Sequence, residues 1–168
     1  MHFLHINSKK DVGKVDQMIK QGKHVFLLVY MVGCGPCNAT RPEWEQIESA
    51  LKDQYAHKDN VVVIDIDKDY VSNIKHIGTI DGFPTIKYIG NRGKIVESYE
   101  NSSIQQKDRS VSSFINWIET KINIMQSAIH KSSAKQVYKR LSHQQKIYHR
   151  RKSRKHKRHY KKHTRKHR

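Results

Sequence analysis

The chain has 168 residues, enough for one domain with a hydrophobic core and an appendage. Lys and Arg number 33 against 15 Asp and Glu, and the whole net charge of +18 comes from residues 121–168, which hold 18 basic residues and no acidic one. A uniformly basic domain is therefore excluded. A membrane span is also excluded, because no run approaches the roughly 18 apolar residues that a span requires.

The first half of the chain alternates strand-like and helix-like segments. A short strand is predicted at 3–6, and a helix at 9–20, where apolar residues recur on one side. The continuous apolar run 25–30 is typical of a strand that is covered on both faces. A long helix is predicted at 34–55, and Pro42 is expected to kink or restart it.

The second half continues the alternation and ends in a hairpin and a helix. The predicted elements are a buried strand at 61–64, a short helix at 71–76, strands at 85–89 and 95–99 joined by a turn at 90–93, and a final helix from 114. The resulting order is β-α-β-α-β-α-β-β-α. This order predicts an α/β fold with a central mixed sheet flanked by helices.

The two cysteines of the chain lie together in the motif Cys34-Gly35-Pro36-Cys37, directly after the strand 25–30. At a helix start, unpaired backbone amides and the helix dipole favour a thiolate, so Cys34 is the candidate nucleophile. Cys37 lies one turn further in and is the candidate resolving thiol. Pro36 stiffens the loop between them. The motif predicts a disulfide that closes and opens, without any cofactor.

The motif at 34–37, the proline-containing helix after it, and the run Gly82-Phe83-Pro84-Thr85 before the hairpin resemble the thioredoxin family. The resemblance covers roughly residues 1–125. The runs 41–44 and 82–88 look closer to protein disulfide isomerase domains, whereas Gly35-Pro36 is the thioredoxin dipeptide. Together with the basic tail, the chain also resembles thioredoxin-like proteins of large DNA viruses.

The resemblance implies a thioredoxin fold and a thiol-disulfide oxidoreductase that acts on protein disulfides and dithiols. It also implies that Pro84 is a cis proline packed against the cysteines and that Phe83 offers backbone groups to an extended substrate. The implied substrate-binding residues are Gly33, Gly35, Pro36, Phe83 and Pro84. The thioredoxin dipeptide favours a reducing role over an oxidising one.

Two departures from the family pattern predict a slow enzyme. Gly33 stands where the family usually has Trp before the first cysteine. Leu28 replaces the buried acid that commonly lies six positions before the nucleophile, and Val63 replaces a lysine that often pairs with it. Because that acid helps to take the proton from the second cysteine, release of the mixed disulfide by Cys37 is expected to be the weakened step.

Other interpretations of these residues remain open at this point. One alternative is that the cysteines form half of a zinc site. The histidines of residues 1–127 show no paired ligand spacing, however, so no metal is expected. A redox-inactive domain that keeps the fold only for binding or structure is the second alternative. Asp65, Asp67 and Asp69 are interpreted as solvated residues of a strand end and a helix start.

The chain is expected to divide into a domain at 1–127 and a basic tail at 128–168 that is partly helical or largely disordered. Such a tail needs an anionic partner, and nucleic acid fits best. A nuclear address, an anionic membrane, an acidic protein and mere solubility are the alternatives. The candidate polyanion-binding residues are Arg150, Arg151, Lys152, Arg154, Lys155, Lys157, Arg158, Lys161 and Lys162.

The expected location follows from the cysteines and the first residues. No framework of structural disulfides is possible with two cysteines, and the apolar run at 1–8 is too short for a secretory signal. A cytoplasmic protein that is not secreted is therefore expected, with packaging in a virion or a nuclear location as further possibilities. The sequence does not indicate which oligomeric state the protein adopts.

Overall fold

The computed structural model describes residues 1–128, 131, 135, 136, 139, 140, 142, 143 and 146. The chain divides into two units, with the boundary between Lys121 and Ile122. The strands of the first unit are β1 (His2–Ile6), β2 (His24–Tyr30), β3 (Val61–Asp67), β4 (Thr85–Gly90) and β5 (Ile95–Ser98). Its helices are α1 (Lys9–Lys20), α2 (Gly35–Leu51), α3 (Lys68–Val71) and α4, which covers residues 111–121. In the second unit, residues 122–128 are helical.

The five strands form one mixed sheet in the order β1-β3-β2-β4-β5. β3 pairs in parallel with β1 and β2, whereas β4 pairs antiparallel with β2 and β5. The predicted α/β fold with a mixed sheet is confirmed. None of the helices in the described part of the chain combines the length and the hydropathy that crossing a bilayer requires.

The central strand β2 is buried on both faces, as its continuous apolar run predicts. Successive side chains of a strand point to opposite faces, so Leu28 and Tyr30 share one face and Leu27 lies on the other. In the register of the sheet, Leu28 lies opposite Asp65 of β3 and Ile86 of β4. Leu28 and Asp65 are therefore neighbours on the same face.

Each face of the sheet carries its own core. On the face of Leu27, α1 packs against β2 through Val12, Val15, Ile19, Val25, Leu27 and Val29. On the face of Leu28, aromatic rings pack at centroid distances of 5.0–5.1 Å, and these rings belong to Phe26, Trp44, Tyr99, Phe114 and Trp117. These two cores fix β2, and with it the chain segment that enters the cysteine motif.

The structure corrects three sequence-based expectations. β3 runs to Asp67 because β1 and β2 both continue to pair with it, so Asp65 lies inside the strand and is buried. The short helix begins at Lys68 instead of 71, since the Asp67 carboxylate caps it by accepting from the amide of Asp69 at 2.9 Å. α2 ends at Leu51, and it runs as one helix past Pro42.

Candidate active site

Cys34 and Cys37 lie at the amino-terminal end of α2 and are joined by a disulfide. Cys34 is the residue that caps the helix, and the amide of Cys37 donates to its Sγ at 3.3 Å. Cys34 is 8% exposed and Cys37 is fully buried. Free amides at a helix start stabilise a sulfur anion, so this geometry favours Cys34 as the thiolate in the reduced form.

The local sequence explains why the motif turns into a helix here. Gly33 has φ +80°, a backbone conformation that residues other than glycine rarely adopt. Cys34 follows in extended conformation. Pro36 stands in the first turn of α2, where its missing amide costs no hydrogen bond. A Cβ at Gly33 or Gly35 would meet no atom within 4 Å, so both flanks of Cys34 are open.

The loop before β4 lies against the cysteines. The Phe83–Pro84 peptide bond is cis, and the Sγ of Cys34 lies 3.6 Å from the carbonyl oxygen of Phe83. Phe83 also packs against the cluster that Tyr30, Cys34 and Cys37 form. The structure thus brings Cys34 and Phe83 together although 49 positions separate them in the sequence, and Gly33, Gly35, Pro36 and Pro84 flank these two residues in the chain.

Lys87 anchors this loop and was missed by the sequence analysis. Its side chain is buried, and its Nζ donates to the carbonyl oxygens of Ile77, at 3.0 Å, and Thr79. Burial lowers the pKa of Lys87, while Asp81 acts in the opposite direction. A lysine in the middle of the predicted strand 85–89 was the available signal, because a buried ammonium must find acceptors.

Arg109 borders the redox site and was also missed. It lines the cleft beside Pro36 and the cleft beside Pro84, and its guanidinium donates to Glu100 at 2.9 Å. Its φ of +62° places it in the left-handed region. Asp108, the residue before Arg109, accepts hydrogen bonds from the hydroxyls of Ser110 and Ser113. These hydrogen bonds hold the pKa of Asp108 well below its usual range.

Leu28 and Val63, which replace the charged residues of the family pattern, are both buried. The interpretation of Asp65 as a solvated residue is wrong, since the carboxylate is enclosed and its Oδ2 lies 2.5 Å from Nδ1 of His5. Burial raises the pKa of Asp65, and the nearby His5 and Arg41 oppose that shift. No group of metal ligands is found among the described residues.

The candidate polyanion-binding residues cannot be placed in the site. All nine positions from Arg150 to Lys162 lie outside the described residues. Their role stays a prediction, as does the domain boundary at residue 127.

Known proteins are similar to this chain over part of its length. The family model described as Thioredoxin matches residues 8–116. The protein disulfide-isomerase of Ricinus communis is 39% identical over 83 residues, which are 46% of this chain and 16% of the relative. Protein disulfide-isomerase 1 of Dictyostelium discoideum is 31% identical over 110 residues, which are 64% of this chain and 27% of the relative. The chain thus spans less than a third of the length of these relatives.

Two solved structures show the same fold. Human ERp44 in its zinc-bound form superposes with a TM-score of 0.53 at 18% identity, over 71% of this chain and 31% of ERp44. The J-Trx1 fragment of ERdj5 also gives a TM-score of 0.53, at 12% identity, over 72% of this chain and 52% of the fragment. At these identities the likeness concerns the fold alone.

Proposed function

The chain belongs to the thioredoxin family, and we propose that it is a thiol-disulfide oxidoreductase whose Cys34–Cys37 pair exchanges with disulfides and dithiols of client proteins. The observation that carries this proposal is the cysteine pair at the start of α2, with the amide of Cys37 on the sulfur of Cys34 and Phe83 beside it. Both curated relatives named above are protein disulfide isomerases, which supports the same chemistry.

The proposed reaction has two exchanges. The Cys34 thiolate attacks a client disulfide, a Cys34–client bond forms, and the other client sulfur leaves with the electron pair and takes a proton. Cys37 then loses its proton and attacks the Sγ of Cys34, so the Cys34–Cys37 bond forms and the second client sulfur leaves as a thiol. The client disulfide is reduced to two thiols while the protein dithiol is oxidised, and a thiol reductant restores it.

We propose that the reaction runs mainly toward reduction of the client. The Gly35-Pro36 dipeptide supports this direction, since thioredoxins have reduction potentials of about −270 mV and isomerases of about −180 mV. The proposed setting is a reducing compartment, in which a thiol pool recharges the pair.

Release of the mixed disulfide is expected to limit the rate. Leu28 is fully buried and offers no acceptor for the proton of Cys37. Rapid mixing of the reduced protein with insulin, followed by acid quench and mass spectrometry, should show a mixed disulfide that builds up before it decays. Leu28→Asp should speed the decay by about tenfold or more, whereas Leu28→Ala supplies no acceptor and should not.

The slow-release account fails if the wild-type protein reduces insulin in a single turnover at the rate of an ordinary thioredoxin with no build-up of mixed disulfide. If the mixed disulfide decays faster than in the wild-type protein, and equally fast in the Leu28→Asp and Leu28→Ala variants, the effect of residue 28 comes from packing and not from a proton acceptor.

For the tail we propose binding to nucleic acid. The support is compositional: residues 121–168 hold 18 basic residues and no acidic one, and the tyrosines at 138, 148 and 160 suit stacking on unpaired bases. Such binding depends steeply on salt and little on base sequence. The tail would keep the oxidoreductase near clients that are assembled on nucleic acid.

A further inference from the structure

A cluster of polar and charged side chains lies between α2 and the sheet, on the face that Leu28 and Tyr30 share. It borders a cleft of about 430 Å³ and consists of His5 from β1, Tyr30 from β2, Asp65 from β3 and Arg41 from α2. The remaining charged groups that face the cluster are Glu45 and Glu48 of α2 and Asp67 of β3. The two exchanges described above use none of these residues.

Arg41 is the member of the cluster that lies on the same helix as Cys37. It follows Cys37 by four residues in α2, and side chains at this spacing lie one above the other, with Cβ atoms about 5–6 Å apart. Tyr30 belongs to the same buried cluster as the two cysteines, and the guanidinium carbon of Arg41 lies 4.0 Å from the centre of the Tyr30 ring. Arg41 therefore shares a face of α2 with Cys37 and contacts a member of the cluster that contains Cys37.

The charge of Arg41 is only loosely compensated. The ion pair with Glu45 spans 3.6 Å, and the Nε of Arg41 is buried with no hydrogen-bond partner among the described residues. A cation over the face of an aromatic ring is attracted by the ring but keeps its full charge. The guanidinium is thus the first charged group after Cys37 in α2, and the carboxylates of Glu45 and Glu48 lie further along the helix.

Asp65 supplies the opposing charge. It lies opposite Leu28 in the register of the sheet and is 5% exposed. Its Oδ2 is 2.5 Å from His5, whose side chain is 56% exposed and links the buried carboxylate to solvent. Burial raises the pKa of the Asp65 carboxyl, and the electrostatic attraction of the Arg41 guanidinium opposes this rise. The net field at Cys37 therefore depends on both residues.

We propose that Arg41 is a positioning residue that favours the thiolate form of Cys37, and that the Asp65–His5 pair limits the strength of this effect. The proposal rests on the proposed function, because it concerns the second exchange. There the Cys37 thiol gives its proton to solvent, the sulfur attacks Cys34, and the client sulfur leaves with the electron pair and takes a proton. By favouring the thiolate, Arg41 then partly compensates for the proton acceptor that is absent at position 28.

The test uses Cys37 as the single thiol of the full chain. In a Cys34→Ser background, the absorbance of the thiolate near 240 nm is followed as a function of pH, and Arg41→Gln, Arg41→Lys and Asp65→Asn are added one at a time. Arg92→Gln is the matched control, because it removes the same charge from the turn between β4 and β5, outside the cleft.

The pKa of Cys37 is expected to shift in opposite directions when the charge of Arg41 and the charge of Asp65 are removed. Arg41→Gln should raise the pKa of Cys37 by at least about half a unit, which is about a threefold loss of thiolate near neutrality. Asp65→Asn should lower it, and Arg41→Lys should keep most of the wild-type value. Loss of packing moves both variants in the same direction, so the opposite signs identify electrostatics.

The proposal is overturned if Arg41→Gln shifts the titration no more than Arg92→Gln does. Should Arg41→Gln fail to fold, as circular dichroism would show, Asp65→Asn decides alone, and an unchanged or raised pKa of Cys37 then overturns the proposal. The titration needs no catalysis, so a failure of the oxidoreductase function is seen separately, as wild-type protein that does not reduce insulin.

Discussion

A Cys34→Ser variant is expected to lose client disulfide reduction by at least about three orders of magnitude, because no other group of the site can supply the attacking sulfur. Cys34 caps α2 and lies against Phe83, whereas Cys37 is fully buried and cannot reach a client first. Steady-state reduction of insulin with a thiol reductant measures the loss against the rate of the reductant alone.

Cys37→Ser is the matched control for this prediction. It keeps the nucleophile and removes only the second exchange, so it should form a mixed disulfide with a client and hold it, whereas Cys34→Ser should trap nothing. A Cys34→Ser variant that still reduces insulin would contradict the assignment of the nucleophile. If neither variant differs from the wild-type protein because the wild-type protein is itself inactive, the redox-inactive alternative is correct.

Removal of residues 128–168 is expected to abolish binding to DNA and to leave disulfide reduction unchanged. With 8 phosphate contacts and a slope of about −0.9 per contact, affinity of the full chain should fall by about four orders of magnitude between 50 and 200 mM salt. Fluorescence anisotropy with labelled duplexes of two unrelated sequences measures both the affinity and its indifference to sequence.

A milder variant makes the same point without truncation. Replacing Arg150, Arg151 and Lys152 by Gln should reduce the salt slope by up to about three and weaken binding to both duplexes equally. Binding that survives truncation would place the nucleic-acid surface elsewhere on the chain. Binding of the full chain to one duplex alone would contradict a purely electrostatic interaction.

The order of the secondary structure elements could be predicted from the sequence because the strongest signals are local. The apolar run of β2 and the amphipathic pattern of α1 are readable along the chain, and both elements lie where they were expected. The position of Cys34 at a helix start likewise follows from a strand, a glycine with positive φ and a proline in succession.

The environment of Asp65 could not be predicted, because it depends on strands that are distant in sequence. β1 supplies His5 only once β1 and β3 pair in parallel, and both side chains then line one cleft with residues of α2. A local pattern with aspartates at alternating positions after an apolar run looks like a solvated strand end. For the same reason the sequence showed neither the role of Lys87 in holding the loop before β4 nor the place of Arg109 in the clefts beside Pro36 and Pro84.

The proposed function requires that the Cys34–Cys37 pair cycles between disulfide and dithiol within one molecule. Equilibration of the full chain with glutathione buffers of graded ratio, followed by acid quench and mass analysis, measures this cycling. We expect a single two-electron transition between the dithiol and the internal disulfide, at a potential more negative than about −180 mV and toward about −270 mV. Two thiols that titrate separately, or a protein that gains glutathione at Cys34 without closing the internal disulfide, would contradict it.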